Sequence, residues 1–199
     1  MRRESDEDGS KVERTGCPSL VLRINAGRDT KMKDTVDQDI MRIGEDILSS
    51  DRFAKAELLP HHNKHCTIAS HSFETARHAL SIQRWLDRHG VKVSKEDVVR
   101  SSLLHDIGMT EDPVFLSPSY RKAYSHPREG SRIAIEEFEA SAVQADAISR
   151  HMWPIGFVPP HSAVGWVVVA ADKCCSLCEV QREVRGIVRK TYRSISSRT

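Results

Sequence analysis

The chain lacks any apolar run long enough to cross a membrane. Its longest, Val164 to Ala171, is under half of the roughly 18 residues a span needs. Met1 to Ser10 sets two arginines directly before acidic residues, with no apolar stretch, so it reads as neither a secretory nor a transit segment. A cytoplasmic protein is expected. Net charge is nearly absent: 30 Lys and Arg against 28 Asp and Glu leave +2, which gives no strong nucleic-acid signal. Five cysteines are an odd number without framework spacing, so a disulfide scaffold is not expected. No stretch alternates apolar and polar residues between turn signals, and there is no internal repeat or low-complexity block.

What remains is an ordinary globular composition, 39% apolar and 29% charged, in 199 residues. That length suits one domain, large enough to fold without a disulfide or metal staple. Histidine is the compositional oddity, at ten residues. It is the commonest metal ligand and the usual proton carrier near neutral pH.

Helical spacing organises the middle of the chain. Apolar residues at 36, 40, 43 and 47 predict a helix over Val36–Ser50. A second helix is predicted over Ser70–Arg88, with Phe73, Ala76, Leu80 and Trp85 or Leu86 inward, and Gly90 ends it. Ser94 to Asp97 resembles a capping box and opens a third helix that stops near Gly108. Residues 110–126 read as a loop, and Pro127 suits the first turn of the next helix. Ala142–His151 is helical, Met152–Ser162 is a stiff proline loop, and Ala163 to about Arg189 is the last long helix. The expected fold is all-α: a mobile tail over residues 1–35, one helical bundle over 36–190 and a basic C-terminal tail over 191–199. The basic residues from Arg182 onward read as a helix end and frayed terminus rather than an RNA-touching tail.

Four histidines fall at helix ends or edges bordering the predicted core: His71, His105, His126 and His151. Asp106 follows His105, and Asp172 lies beside the apolar stripe of the last helix. A carboxylate there is costly to bury without a positive partner, and a divalent cation would supply one. The ordered set His71, His105-Asp106, His126, His151 and Asp172 resembles the HD superfamily of metal-dependent phosphohydrolases. LLHDIG (Leu103–Gly108) is similar to its central motif, and His126-Pro127, RHMWPIGFVPP (Arg150–Pro160) and AADKCC (Ala170–Cys175) resemble a subgroup of small bacterial HD proteins.

The resemblance implies an HD-domain helical bundle that binds divalent metal. His71, His105, Asp106 and Asp172 would hold one ion. Asp106 would bridge to a second, completed by His126 and His151. Histidine-rich ligation favours Fe, Mn, Zn, Co or Ni over Mg. The implied activity is cleavage of a phosphate ester of a nucleotide-like or other small phosphorylated substrate. His105 and Asp106 would be the catalytic pair, and a water bridging the metals the nucleophile. Lys173 and Arg128 are candidate phosphate contacts, with Arg121 and Lys122 weaker ones. Met109 stands where cyclic-dinucleotide-cleaving members commonly carry Lys, and their GYP signature is absent. A di-iron oxygenase and a non-catalytic metal-stabilised sensor or scaffold remain alternatives, and oligomeric state is not indicated.

Other polar residues are read conservatively. His61, His62 and His65 are taken as a polar loop, and His78, His89 and His161 as surface or ordinary interior residues. Cys174, Cys175 and Cys178 read as buried small hydrophobes rather than a zinc or redox pair. Trp153 and Phe157 read as packing that fixes the proline loop.

Overall fold

The computed structural model describes the backbone at residues 30–61, 66–111 and 120–196, and side chains at 35–61, 66–111 and 125–188. Eight α-helices and one 3-10 turn make up the described residues, with no strand among them. The all-α expectation holds. The helices are α1 (Thr30–Ile43), α2 (Glu45–Leu48), α3 (Asp51–Leu58), α4 (Ile68–Arg88), α5 (Lys95–Leu104), α6 (Tyr120–Phe138), α7 (Ala142–Arg150) and α8 (Ala163–Ser196). The 3-10 turn, Ile107–Thr110, follows α5 at once.

Several boundaries differ from the sequence reading. The helix expected over Val36–Ser50 begins earlier, at Thr30, and breaks at Gly44 into α1 and α2. A Cβ on Gly44 would meet Leu103 Cδ1 at 2.3 Å, so a side chain there would require the Leu103 side chain to shift. Helix α3 was not expected. It is capped by the Ser50 hydroxyl, which accepts from Phe53 N, and it buries Phe53 and Ala56. Helix α6 starts at Tyr120, so residues 120–126 are helical rather than loop, and Pro127 lies inside the helix. Proline there lacks the N–H that would bond the carbonyl four residues back, yet the helix runs through it. Helix α8 runs to Ser196, past the expected end near Arg189.

Other expectations hold in detail. Ser94 opens α5 as read, its hydroxyl accepting from Asp97 N at 3.2 Å, whereas the reciprocal cap that starts α4, the Thr67 hydroxyl accepting from Ser70 N and the Ser70 hydroxyl from Thr67 N, was not expected. Gly90 follows α4 with φ +83°, a conformation glycine adopts without Cβ strain. Leu86 packs on the core, whereas Trp85 is half exposed.

Two apolar clusters hold the helices. The larger joins α1 to α7 around Phe53, Ile68, Leu80, Leu103, Leu104, Ile107, Ile133 and Ile148. The smaller packs the start of α8 (Val164, Val167, Val168, Ala171) on Ala79, Val98 and Ala147. Arg77 of α4 ties α1 down through two 2.6 Å bonds to the buried Asp37. His71, His105, Asp106, His151 and Asp172 lie among these buried apolar residues, so the polar groups sit inside the bundle and not on its surface.

Candidate metal centre

All six residues singled out in the sequence meet in space. Four of them stand at the end of an element, and His126 and Asp172 lie within helices. His71 is in the first turn of α4, His105 caps the C-terminus of α5, and Asp106 opens the 3-10 turn. His126 lies on α6 beside Pro127, His151 caps α7, and Asp172 is on the buried face of α8. The glycine of LLHDIG makes this convergence possible. A Cβ on Gly108 would meet the His126 carbonyl oxygen at 2.2 Å and Gly130 N at 2.5 Å, so the 3-10 turn lies directly on the α6 backbone.

The carboxylate of Asp106 divides the cluster. Its Oδ1 lies 3.2 Å from His126 Nε2 and 3.3 Å from His151 Nε2. Its Oδ2 lies 3.2 Å from His105 Nε2 and 3.9 Å from His71 Nε2. Asp172 Oδ1 joins the second group, 3.2 Å from His71 Nε2 and 3.9 Å from His105 Nε2. Two donor groups therefore share one carboxylate.

The rings are oriented from behind. His105 Nδ1 donates to the Ser102 carbonyl at 2.8 Å, and His151 Nδ1 to the Ile148 carbonyl at 2.7 Å. A carbonyl only accepts, so these Nδ1 atoms carry the proton and a neutral ring presents its Nε2 lone pair to the cluster. His105 Nε2 is buried without a hydrogen bond. His126 Nε2 and His151 Nε2 face each other at 3.2 Å. Lone pairs converging on a buried, carboxylate-lined space are what a divalent cation satisfies, so the donor set fits one.

Electrostatics agree. Burial pulls the His71 pKa down, but hydrogen bonds, first of all to Asp172, outweigh it and raise it far above the imidazole range. Burial likewise opposes His105, and the charge of Asp106 overcomes it and raises its pKa. Burial alone pushes Asp106 up, yet His105, His126 and His151 hold it well below the usual carboxylate range. Burial dominates at His151 and lowers its pKa. Without metal, the cluster draws in protons to balance its carboxylates; a cation takes that place and releases them.

Two functional-site neighbours escaped the sequence reading. His61, taken there as polar loop, is 1% exposed; its ring stacks on His71 at 3.9 Å and its Nε2 lies 2.9 Å from Asp106 Oδ2. An antiparallel bridge between Pro60 and Thr67 turns it inward. His62 and His65 lie outside the described residues. Glu179, two turns past Asp172 on α8, sets Oε1 2.9 Å from His71 Nδ1 and so orients that ring. Its spacing of seven from Asp172 was the available signal.

The remaining candidates separate. Lys173 Nζ binds Asp172 Oδ2 at 2.7 Å. Arg128 is exposed and lines a cavity of about 410 Å³ with Pro127, Arg150, Met152 and Val158. The side chains of Arg121 and Lys122 lie outside the described residues. Cys175 is buried as expected, but its Sγ lies 3.6 Å from His71 Nδ1; Cys178 is half-buried and Cys174 exposed, against the expectation of burial. Helix α8 turns those two away from the core. Trp153 packs edge-on against Trp166, whereas Phe157 is 86% exposed at φ 58°, so it does not pack as expected. His89 and His161 are exposed and His78 is half-buried.

A family model for the HD domain matches residues 68–176, more than half of the chain. The chain belongs to the HD domain family. Comparison with curated proteins and with solved structures found no match. The HD match spans His71, His105, Asp106, His126, His151 and Asp172, and leaves out His61 and Glu179. HD domains bind divalent metals and are mostly metal-dependent phosphohydrolases. No described helix of this HD protein is long and apolar enough to cross a membrane.

Proposed function

We propose that the protein is a metal-dependent phosphohydrolase with two divalent cations, acting on a phosphate ester of a nucleotide or other small phosphorylated metabolite. The observation that carries this reading is the division of the Asp106 carboxylate, one oxygen toward His126 and His151 and the other toward His71 and His105. His71, His105, Asp106 and Asp172 would hold one cation, and Asp106, His126 and His151 the other. Such a pair, when bound, lowers the pKa of a shared water and draws charge from the phosphoryl oxygens.

The chain's own residues supply the rest. Ser102 and Ile148 carbonyls fix the tautomers of His105 and His151, and Glu179 fixes His71. The buried apolar surround keeps bulk water from competing for these groups. A phosphorylated substrate is supported by the cavity whose walls adjoin His126 and His151 in sequence and carry Arg128 and Arg150. Its volume suits a small molecule. Arg150 is held by Asp146 at 2.5 Å, while Arg128 has no ion-pair partner among the described residues, so its guanidinium is available to a phosphate. Lys173, near the other end of the centre, is a second candidate contact once a cation takes over Asp172.

The test is a panel of nucleotides and small phosphate esters, assayed with Mn, Fe, Co, Ni and Zn. Release of inorganic phosphate that disappears in Asp106→Ala and weakens mainly in KM in Arg128→Ala is the expected result. Dioxygen consumption by the iron-loaded protein without phosphate release would instead establish an oxygenase.

A further inference from the structure

A second set of metal-ligating side chains lies behind His71 and shares only that residue with the six. His61, Cys66, His71 and Glu179 bring one donor atom each within a 4.8 Å sphere of one another. Cys66 Sγ lies 3.1 Å from Glu179 Oε1, and His61 Nδ1 lies 4.0 Å from Glu179 Oε2. The Glu179 side chain is only 10% exposed, and its Oε2 is buried without a hydrogen bond. A buried carboxylate oxygen beside a thiol and an imidazole asks for a positive charge.

The backbone assembles the group. His61 N donates to the Cys66 carbonyl at 2.7 Å, and Ile68 N to the Leu59 carbonyl at 3.0 Å, so the turn between α3 and α4 is closed at its base. That closure holds His61 and Cys66 side by side, facing Glu179 on α8. The spacing His61-x4-Cys66 is short enough for two ligands from one turn.

We propose that His61, Cys66 and Glu179 form a separate zinc-type cation site packed against the outer edge of His71. Its donor atoms are His61 Nδ1, Cys66 Sγ and a Glu179 carboxylate oxygen, none of which serves the Asp106 centre. His71 keeps its Nδ1 proton toward Glu179 Oε1. Binding releases the Cys66 thiol proton to solvent, so thiolate and carboxylate together balance a divalent charge. Thiolate with imidazole and carboxylate selects zinc or cobalt over magnesium or calcium. The ion ties His61 and Cys66 to α8 and holds the His61 ring over His71.

The test loads the full-length protein with cobalt(II) and reads the thiolate-to-cobalt charge-transfer absorption in the near ultraviolet. The band is expected in the wild type and in Asp106→Ala, because Asp106 meets the site only at His61 Nε2 and none of the three donor atoms. Cys66→Ser is expected to lose the band and one equivalent of metal per chain. Glu179→Gln, which keeps the side-chain shape, is expected to weaken cobalt binding at this site at least tenfold. A wild type without the band overturns the proposal whatever the variants do, as does a band that survives Cys66→Ser. A band that vanishes in Asp106→Ala while that variant stays folded assigns the thiolate to the other centre and overturns it too. Loss of phosphate release in Asp106→Ala with the band intact leaves this site standing apart from the proposed activity.

Discussion

Replacing Gly108 by Ala places a methyl group where the backbone of α6 already lies. The new Cβ would sit 2.2 Å from the His126 carbonyl oxygen and 2.5 Å from Gly130 N, while real Cβ contacts do not fall below 3.0 Å. Backbone atoms cannot rotate aside, so α6 and the 3-10 turn must separate by at least about 0.8 Å. Overpacking of that kind costs roughly 1–3 kcal/mol. For a chain of this size the upper end corresponds to a fall in Tm of about 6–12 °C. Separation also carries His126 away from Asp106 Oδ1, now 3.2 Å distant. Metal–ligand distances tolerate only about 0.2 Å, so the His126–His151 half of the centre should lose its ion. The assay pairs thermal unfolding with elemental analysis of the purified variant, and Gly130→Ala is the control. A Cβ on Gly130 meets Gly108 N, the His105 carbonyl oxygen and Ile148 Cγ2 at 3.3 Å each, a contact that a few tenths of an ångström relieve. Helix propensity offsets part of that cost by about 1 kcal/mol. Gly108→Ala should lose one equivalent of metal and several degrees, and Gly130→Ala neither. A Gly108→Ala protein with unchanged Tm and full metal content would refute the close packing of the turn on α6 and its role in placing His126.

Further outcomes follow from the same structure. Chelation should lower the Tm of the metal-loaded protein, because binding to the native state alone adds stability, and equal melting of both forms would contradict this. Asp37→Ala strips the paired Arg77 of two charge-assisted bonds in a mostly buried setting and should cost about 2–3 kcal/mol in denaturant unfolding. The exposed pair Lys92–Asp87 should cost less than about 0.5 kcal/mol when Asp87 is replaced by Ala, and equal losses would refute the burial argument. Burial pushes the Asp39 carboxyl up, but hydrogen bonds from Lys95 and Arg84 outweigh it and bring its pKa below 3.8. A depressed carboxylate stabilises above its unfolded pKa and loses that contribution as pH falls through the folded value. Asp39→Asn should therefore be less stable than wild type by about 0.5–1 kcal/mol at pH 6, with the gap closing below about pH 4; a pH-independent gap would exclude the carboxylate charge as its origin. Leu104→Ala, next to His105 and fully buried, should cost about 2–5 kcal/mol in the same unfolding assay.

The sequence made some layers of this protein legible and concealed others. Apolar spacing in α4, α5 and α8 faced the core as read, because long buried stripes survive any tertiary context. The break at Gly44 was hidden, since the apolar spacing at 36, 40, 43 and 47 runs through it. Helix α3 is only 8 residues long and buries just Phe53 and Ala56, so periodicity alone was too weak to declare it. Pro127 suggested a helix start because a proline inside a helix is costly in general; here α6 continues through it. The six clustered residues were found because the histidines and Asp106 read as lying at helix ends or edges beside apolar residues and Asp172 as lying beside the apolar stripe of the last helix. His61 was missed for the opposite reason. It stands among polar neighbours, and only the backbone closure between residues 60 and 67 turns it inward. Glu179 was missed because it directly follows Cys178, the last residue read as inward on α8.

Anomalous scattering from crystals of the metal-loaded full chain tests the central claim most directly. Two peaks, one beside Asp106 Oδ1 within reach of His126 and His151 and one beside Oδ2 within reach of His71, His105 and Asp172, are the predicted result. Metal-loaded crystals with no peak flanking that carboxylate would contradict it.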